Sequence, residues 1–163
     1  MALNVSRITD YLFISTRLRD EDLEAIRELD VRLIVGMIAE QPPPRRLAEL
    51  NVDILWLGTF DFFLFPIPLA TLYRGVDAAL PIIREGHQVL VYCQAGRHRS
   101  VAMGAAILIG MGHTADEAVA LIIEKRPVAD PGAWHIRRQI RRFEKYWHQR
   151  QMLEEKKGVR ETN

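Results

Sequence analysis

The sequence predicts an α/β fold in which a central, mostly parallel and twisted sheet is flanked by helices. Segments typical of strands alternate along the chain with segments typical of helices, the order from which parallel sheets are built. Two strand segments, 31–38 and 88–92, are rich in Val, Ile and Leu, as strands buried inside such a sheet are. A chain of 163 residues, 48% of them hydrophobic, is long enough to bury one core.

The first half of the chain contains three predicted strands and one predicted helix. Residues 11–15 form a short apolar strand segment. A helix is predicted over 20–29, where Leu and Ile recur on one side and acidic residues fill the first turn. The segments 31–38 and 52–57 are predicted strands. Between them, the prolines of 41–46 interrupt regular structure, since proline lacks a backbone N–H donor.

A loop and a long helix follow. Residues 58–68 are irregular and aromatic-rich, and they contain a single acid, Asp61. The helical pattern over 69–85 includes Pro81, which predicts a bend there. Gly86 is placed to end that helix because glycine readily adopts the left-handed conformation of a helix terminus.

The second half continues with one strand, one loop and three helices. The strand covers 88–92, the loop 93–99, and an apolar helix of small residues 100–111. Thr114 and Glu117 stand at capping-box spacing, so a helix is predicted from there to Arg126, before a proline. A last helix is predicted over 136–156, with apolar residues on one stripe.

These elements are predicted to form a single domain over 1–156, followed by a polar C-terminal tail at 157–163. The net charge of +1 gives no reason to expect a nucleic-acid partner. No apolar run approaches the roughly 20 residues that span a bilayer, and the first residues lack a signal-peptide pattern. A cytoplasmic location is therefore expected. The single cysteine excludes an intramolecular disulfide.

That cysteine stands in a segment suited to phosphate chemistry. Cys93 ends the strand 88–92, and six residues later Arg99 and Ser100 begin a helix. Such a loop can turn successive backbone N–H groups toward an anion, and the following helix adds its N-terminal partial positive charge. Gly96 permits the tight backbone, and the guanidinium of Arg99 can donate to two phosphate oxygens. The same positive field would stabilise a thiolate at Cys93.

Cys93-x5-Arg99-Ser100 resembles the signature loop of the cysteine-dependent protein tyrosine phosphatases, and the surrounding chain resembles their dual-specificity branch. The resemblance covers nearly all of the first 150 residues. It extends to the opening strand, the general-acid loop and the closing helices of that branch, which match 8–15, 58–61, 114–118, 125–127 and 136–147. One departure is Tyr92, because the family usually has His before the cysteine.

The resemblance implies a set of roles and the absence of a metal or other cofactor. Cys93 would be the nucleophile that forms a phosphocysteine intermediate, and Arg99 would bind the phosphate. Asp61 would be the general acid, and Ser100 would hydrogen-bond the sulfur. The remaining loop residues would bind phosphate through backbone N–H groups: Gln94, Ala95, Gly96, Arg97 and His98. Phosphate and other oxyanions are expected occupants of this loop.

The leading hypothesis is thus a phosphatase acting on phosphotyrosine, and also on phosphoserine and phosphothreonine, in phosphorylated proteins. Arg97, His98 and the basic last helix motivate an alternative, a phosphatase of phosphoinositides, inositol phosphates or nucleotides. Tyr92 motivates another, a catalytically weak phosphate-binding module of the same fold, and a sulfur-transferring enzyme is a more distant one. The other histidines show no metal-ligand spacing and are interpreted as surface or packing residues: His87, His113, His135 and His148.

Overall fold

A five-stranded sheet organises the protein. The computed structural model describes residues 2–161, and the strands are β1 (Val5–Arg7), β2 (Leu12–Ser15), β3 (Val31–Ile38), β4 (Asp53–Thr59) and β5 (Gln88–Tyr92). Their order across the sheet is β1-β2-β5-β3-β4, and only the β1–β2 pair is antiparallel. The predicted central, mostly parallel sheet is therefore confirmed. The bounds of β3 and β5 are those predicted, whereas β1 was not predicted because three residues give no periodic pattern.

Five α-helices flank this sheet. They are α1 (Leu23–Glu28), α2 (Leu69–Arg84), α3 (Arg99–Gly110), α4 (Ala115–Lys125) and α5 (Trp134–Glu161). The predicted helix over 20–29 begins as a 3-10 turn at Asp20–Asp22, and only its second part is α-helical. The last helix begins two residues before the predicted start and continues through 157–161. Residues 162 and 163 of the predicted tail lie outside the described residues.

The helix ends confirm the local signals from which they were predicted. The Thr114 hydroxyl accepts a hydrogen bond from the Glu117 backbone at 3.1 Å, and the Glu117 carboxylate accepts one from the Thr114 backbone at 2.8 Å. This is the reciprocal capping box. Gly86 follows α2 with a φ of +85°, a conformation that favours glycine. The helix continues through Pro81.

The core lies where α2 and α3 pack against the sheet, and it holds the start of α3 at the carboxyl end of β5. Helices α2 and α3 contact the sheet and each other, while α4 and α5 pack against α3. The residues of α3 from Arg99 to Ile109 are all buried. A Cβ at Gly104 would lie 2.7 Å from the Ile14 side chain, so this glycine allows α3 to approach β2 closely. No helix in the described range is long and apolar enough to cross a membrane.

Candidate active site

The loop between β5 and α3 directs several of its carbonyl groups away from its centre. The Gln94 carbonyl accepts from the Arg17 backbone at 3.2 Å, and the Arg97 carbonyl accepts from the Asp130 backbone at 3.0 Å. The Gly96 carbonyl accepts from Nε of Arg126 at 2.7 Å. Neighbouring segments thus occupy the acceptors of this loop, which leaves its donors available for a ligand.

Those donors are unoccupied within residues 2–161. No backbone N–H from Gln94 to His98 donates a hydrogen bond to any residue in the described part of the chain. A run of unpaired backbone N–H groups at the start of a buried helix is a binding site for an anion. We refer to residues 93–99 as the phosphate cradle.

Gly96 is required at the tightest point of the phosphate cradle. Its φ is +61°, in the left-handed region that side chains disfavour. A Cβ there would also lie 2.8 Å from the Ser15 carbonyl oxygen and would clash with the Arg126 guanidinium. Any other residue would therefore displace either the loop or Arg126.

Cys93 lies at the base of the cradle and is 1% exposed. Its Sγ is 3.1 Å from the hydroxyl oxygen of Ser100, which is fully buried. A hydroxyl at this distance can donate to a thiolate and stabilise the negative charge on sulfur. The predicted Cys93–Ser100 pair is thus within hydrogen-bonding distance.

Arg99 is held by one end of its guanidinium. Its Nη1 donates to the Thr59 carbonyl at 2.6 Å and to the Met37 carbonyl at 3.3 Å, and it lies 3.5 Å from the Glu40 carboxylate. The side chain is almost wholly buried, and its Nε has no hydrogen-bond partner among residues 2–161. A buried donor without a partner is costly unless a ligand pairs with it. Nε of Arg99 is therefore available to donate a hydrogen bond to a bound oxyanion.

Arg126 is a second buried arginine, which the sequence analysis did not assign to the site. It is 1% exposed, and its Nη1 donates to the side chains of Asn4 and Ser6 at 3.1 and 3.0 Å. Burial lowers the pKa of this guanidinium, and the charge of Cys93 acts in the opposite direction. Arg126 therefore fixes the Gly96 carbonyl and places a positive charge that interacts with the cysteine. Nothing in its sequence spacing signals this, since it lies 27 residues after Arg99.

Tyr92 occupies the position before the cysteine as a buried, neutral phenol. It is 1% exposed, and burial raises its pKa to about 12. Gly36, its partner on β3, makes room for the ring, because a Cβ there would lie 2.7 Å from the Tyr92 hydroxyl oxygen. Tyr92 therefore brings no positive charge to the cradle.

Asp61 reaches the cradle through His98. Its two carboxylate oxygens lie 3.1 and 3.2 Å from Nδ1 of His98, whose Nε2 lies 3.4 Å from the Asp130 carboxylate. Asp53 and Asp77 lie elsewhere, since Asp53 begins β4 and Asp77 on α2 is paired with Arg150 at 2.7 Å. Asp61 is thus one of three acids that contact the phosphate cradle, together with Asp130 at His98 and Glu40 at Arg99.

His135, which the sequence analysis interpreted as a surface or packing residue, also lies beside Asp61. Its Nε2 is 3.9 Å from the Asp61 carboxylate, and its ring meets the His98 ring edge-on at 5.6 Å between centroids. The residue is the second of α5, so the packing of that helix decides its position. No motif in the sequence joins it to Asp61 or to the cradle.

The turn that carries Asp61 exposes apolar side chains beside the site. Phe62 and Phe65 pair across it, and four residues of the turn are between 45% and 64% exposed: Phe62, Phe63, Leu64 and Phe65. The Phe63 ring lies 6.2 Å from that of Trp134, the first residue of α5 and itself 60% exposed. We call these five residues the aromatic rim. Gln139 of α5 donates to the Ile67 carbonyl, which anchors the end of the turn.

Comparison with known proteins identifies clear relatives, although no protein-family model matches the chain. The chain is 31% identical over 144 residues to dual specificity phosphatase 28 of Mus musculus, covering 85% of this chain and 83% of the relative. A shorter match of 79 residues is 41% identical to the phosphatidylglycerophosphatase and protein-tyrosine phosphatase 1 of Rattus norvegicus. It covers 48% of this chain and 40% of that protein.

Solved structures give the same result for the fold. A mouse dual specificity phosphatase complexed with zinc tungstate superposes with a TM-score of 0.77 at 28% identity, covering 90% of this chain and 89% of that one. The crystal structure of PTPMT1 in complex with PI(5)P superposes with a TM-score of 0.78 at 25% identity, covering 90% and 97%. The match spans almost the whole of each chain.

Proposed function

Because the chain belongs to the dual-specificity branch of the cysteine-dependent protein tyrosine phosphatases, we propose that its substrates are proteins phosphorylated on tyrosine, serine or threonine. The chain is a cysteine-dependent phosphatase. The observation that carries the proposal is the hydrogen bonding of the phosphate cradle. Its backbone N–H groups have no partner in the described residues, whereas three of its carbonyls accept hydrogen bonds from neighbouring segments. Such a site fits the dianion of a phosphate monoester, which brings three acceptor oxygens.

We assign the first chemical step to Cys93. Its thiolate attacks phosphorus in line with the ester oxygen, so the S–P bond forms as the P–O bond breaks. The N–H groups of the cradle and Nε of Arg99 donate hydrogen bonds to the equatorial phosphate oxygens and stabilise their charge in the transition state. The product of this step is phosphocysteine and a leaving oxygen that needs a proton.

Asp61 supplies that proton in our proposal. Its carboxylic acid protonates the leaving oxygen in the first step, and its carboxylate accepts a proton from the attacking water in the second. The contact with His98, a residue of the cradle, supports this role because it holds the Asp61 turn against the cradle. When water displaces the sulfur, the Ser100 hydroxyl at 3.1 Å stabilises the departing thiolate.

The short chain favours a protein substrate of broad side-chain specificity. At 163 residues, the chain lacks room for the extra segments that deepen the pocket in larger, tyrosine-only phosphatases. A shallower cleft would admit the shorter phosphoserine and phosphothreonine side chains as well as phosphotyrosine. This step of the proposal rests on family membership and length.

A second candidate substrate, a phospholipid with a terminal phosphate, is favoured by the aromatic rim. Exposed Phe, Leu and Trp side chains next to a phosphate site resemble the face that interfacial proteins insert into a bilayer. Arg137 and Arg138 are exposed one turn along α5 from Trp134 and would face anionic headgroups. The solved relative bound to PI(5)P belongs to the same fold.

A substrate panel separates these two candidates. We expect kcat/KM for a phosphotyrosine peptide to exceed that for a phosphoinositide in vesicles by about tenfold or more, with measurable turnover of phosphothreonine and phosphoserine peptides. Phe63→Ser, which removes an exposed ring, should not change kcat/KM for the phosphotyrosine peptide. If the phosphoinositide is turned over faster, and Phe63→Ser abolishes that advantage, the lipid is the substrate and the protein-substrate proposal fails.

We predict that Asp61→Asn lowers kcat more for a substrate whose leaving group is more basic. An alkyl phosphate, whose oxygen must be protonated as it leaves, should lose about 10²- to 10⁴-fold in kcat. A nitrophenyl phosphate, whose oxygen leaves readily, should lose less than about tenfold. The exposed Asp53→Asn is the matched control and should change neither rate. Equal slowing of both substrates by Asp61→Asn would remove Asp61 from the role of general acid.

A further inference from the structure

We propose that His98 and His135 are positioning residues for Asp61, and that their rings orient its carboxyl group for proton transfer. The inference rests on the proposed role of Asp61 as the general acid. Nδ1 of His98 lies 3.1 and 3.2 Å from the two Asp61 carboxylate oxygens. Nε2 of His135 lies 3.9 Å from one of them. The two rings come from the cradle and from the start of α5, so tertiary packing brings them to the acid.

The turn that carries Asp61 has little packing of its own. Every residue from 60 to 66 is exposed. A backbone hydrogen bond of 2.9 Å from Phe65 to the Phe62 carbonyl closes the turn, but it does not reach the Asp61 side chain. A carboxyl group on such a segment takes many orientations unless side chains from the body of the protein hold it. Because a misplacement of about 1 Å can cost about 10²-fold in rate, a group that fixes this orientation matters for catalysis.

The ring of His98 is held more firmly than the turn. His98 is the residue immediately before α3, and its Nε2 lies 3.4 Å from the Asp130 carboxylate. Asp130 is itself fixed, because its backbone N–H donates to the Arg97 carbonyl at 3.0 Å. Its carboxylate also accepts from the Ala133 backbone at 3.2 Å. His98 is therefore a fixed point to which the carboxyl group of Asp61 is attached.

The two contacts of His98 favour a ring with a proton on each nitrogen. Asp61 and Asp130 are acceptors only when they are ionised. Both contacts are therefore hydrogen bonds at the same time only when Nδ1 and Nε2 both carry a proton. An imidazolium between two carboxylates makes two charge-assisted hydrogen bonds, which are stronger than neutral ones. This form of the ring fixes Asp61 most tightly.

Such a donor leaves the chemistry of Asp61 intact. In each step Asp61 uses one carboxyl oxygen, which gives a proton to the leaving oxygen and then takes one from water. A ring N–H bonded to the other oxygen fixes the plane of the carboxyl group without competing for that proton. The nearly equal distances of 3.1 and 3.2 Å place Nδ1 of His98 between the two oxygens, so either oxygen can face the substrate.

His135 makes a weaker contribution. Its 3.9 Å contact with the Asp61 carboxylate is beyond hydrogen-bond distance, and its ring meets the His98 ring edge-on at 5.6 Å between centroids. Nδ1 of His135 is buried without a hydrogen-bond partner in residues 2–161, so a proton there would be costly. The ring proton is better placed on Nε2, which faces Asp61. The ring therefore limits the positions open to Asp61, and its loss should matter less than the loss of His98.

The dependence of rate on the leaving group tests the inference, because it isolates proton transfer by Asp61. We expect His98→Ala to lower kcat for an alkyl phosphate by about 10- to 100-fold and kcat for a nitrophenyl phosphate by less than about threefold. His135→Ala should show the same selectivity with a loss of about three- to tenfold. His98→Asn, whose amide nitrogen can replace Nδ1 as a donor, should recover part of the alkyl phosphate rate. His148→Ala is the control, since His148 is exposed on α5 and should change neither rate.

A double variant decides whether the ring acts through Asp61. If it does, His98→Ala in the Asp61→Asn background should lower the alkyl phosphate rate by less than about twofold further, since the group that it positions is already lost. A full additional loss in that background overturns the inference. So does equal slowing of both substrates by His98→Ala, which would place the ring in phosphate binding or in folding.

The same measurements separate this inference from the proposed function. If Asp61→Asn shows the expected selectivity and His98→Ala does not, only the positioning role fails. If Asp61→Asn itself slows both substrates equally, the general-acid role fails and the positioning role fails with it. Should the His98→Ala protein not fold, His135→Ala lies outside the cradle and decides between the same outcomes.

Discussion

Replacing Cys93 with serine is expected to abolish turnover while the protein still binds phosphate. The hydroxyl of serine is a far weaker nucleophile at neutral pH than a thiolate, so kcat for an aryl phosphate should fall by about 10⁴-fold or more. The proposed binding groups lie elsewhere: the N–H groups of residues 94–98 and the Nε edge of Arg99 are not altered by the substitution. Phosphate release assays measure the first effect, and titration with inorganic phosphate or vanadate measures the second.

The substitution is conservative enough to interpret. Serine is slightly smaller than cysteine, and its hydroxyl can still hydrogen-bond Ser100, so the thermal midpoint should change little. Ala95→Ser, which adds a hydroxyl to an exposed side chain of the same loop, shows whether a loop substitution alone affects the rate. Retained turnover in the Cys93→Ser protein would show that another group is the nucleophile.

Arg99→Lys is expected to lower kcat/KM by about 10³-fold although the positive charge is kept. The arginine uses Nη1 to hold the Met37 and Thr59 carbonyls and leaves Nε free at the cradle. An ammonium group can do one of these two things, since it lacks the planar fork of donors. The loss should appear in kcat as well as in phosphate affinity, because in the proposed mechanism this arginine stabilises the charge of the transition state.

The comparison variant is Arg141→Lys, on the exposed surface of α5, where the side chain pairs with Asp116 at 3.5 Å. Surface pairs of this kind contribute little, so neither rate nor stability should change measurably. If Arg99→Lys retains near-normal kcat/KM, then charge alone is sufficient at this position and the bidentate contact is not used.

Tyr92 stands where this family usually has a histidine, and the buried Arg126 contacts the cradle from another part of the fold. Tyr92 is a buried neutral phenol, so it contributes no charge. Arg126 is buried on the other side of Gly96, and its charge interacts with Cys93. A buried guanidinium therefore lies beside the cradle at a position that the Cys-x5-Arg motif does not include.

Several parts of the fold and site were predictable because their signals are local. The apolar composition of 31–38 and 88–92 gave the bounds of β3 and β5, and the Thr114–Glu117 spacing gave the start of α4. The same holds for the cradle, whose cysteine, glycine and arginine lie within seven consecutive residues. Each signal depends on the geometry of one strand, one helix end or one loop, and that geometry is encoded by neighbouring residues.

The sequence by itself therefore determined the chemistry of this protein: a cysteine, an anion-binding loop and an arginine at fixed spacing, inside an α/β fold. Only the tertiary structure decided what surrounds that loop. The strand order, the burial of Arg126 against Gly96 and the meeting of Asp61, His98 and His135 all join residues far apart in the chain. Such contacts result from the packing of whole helices and strands against one core. Packing depends on shape summed over many side chains, so it leaves no short pattern in the sequence.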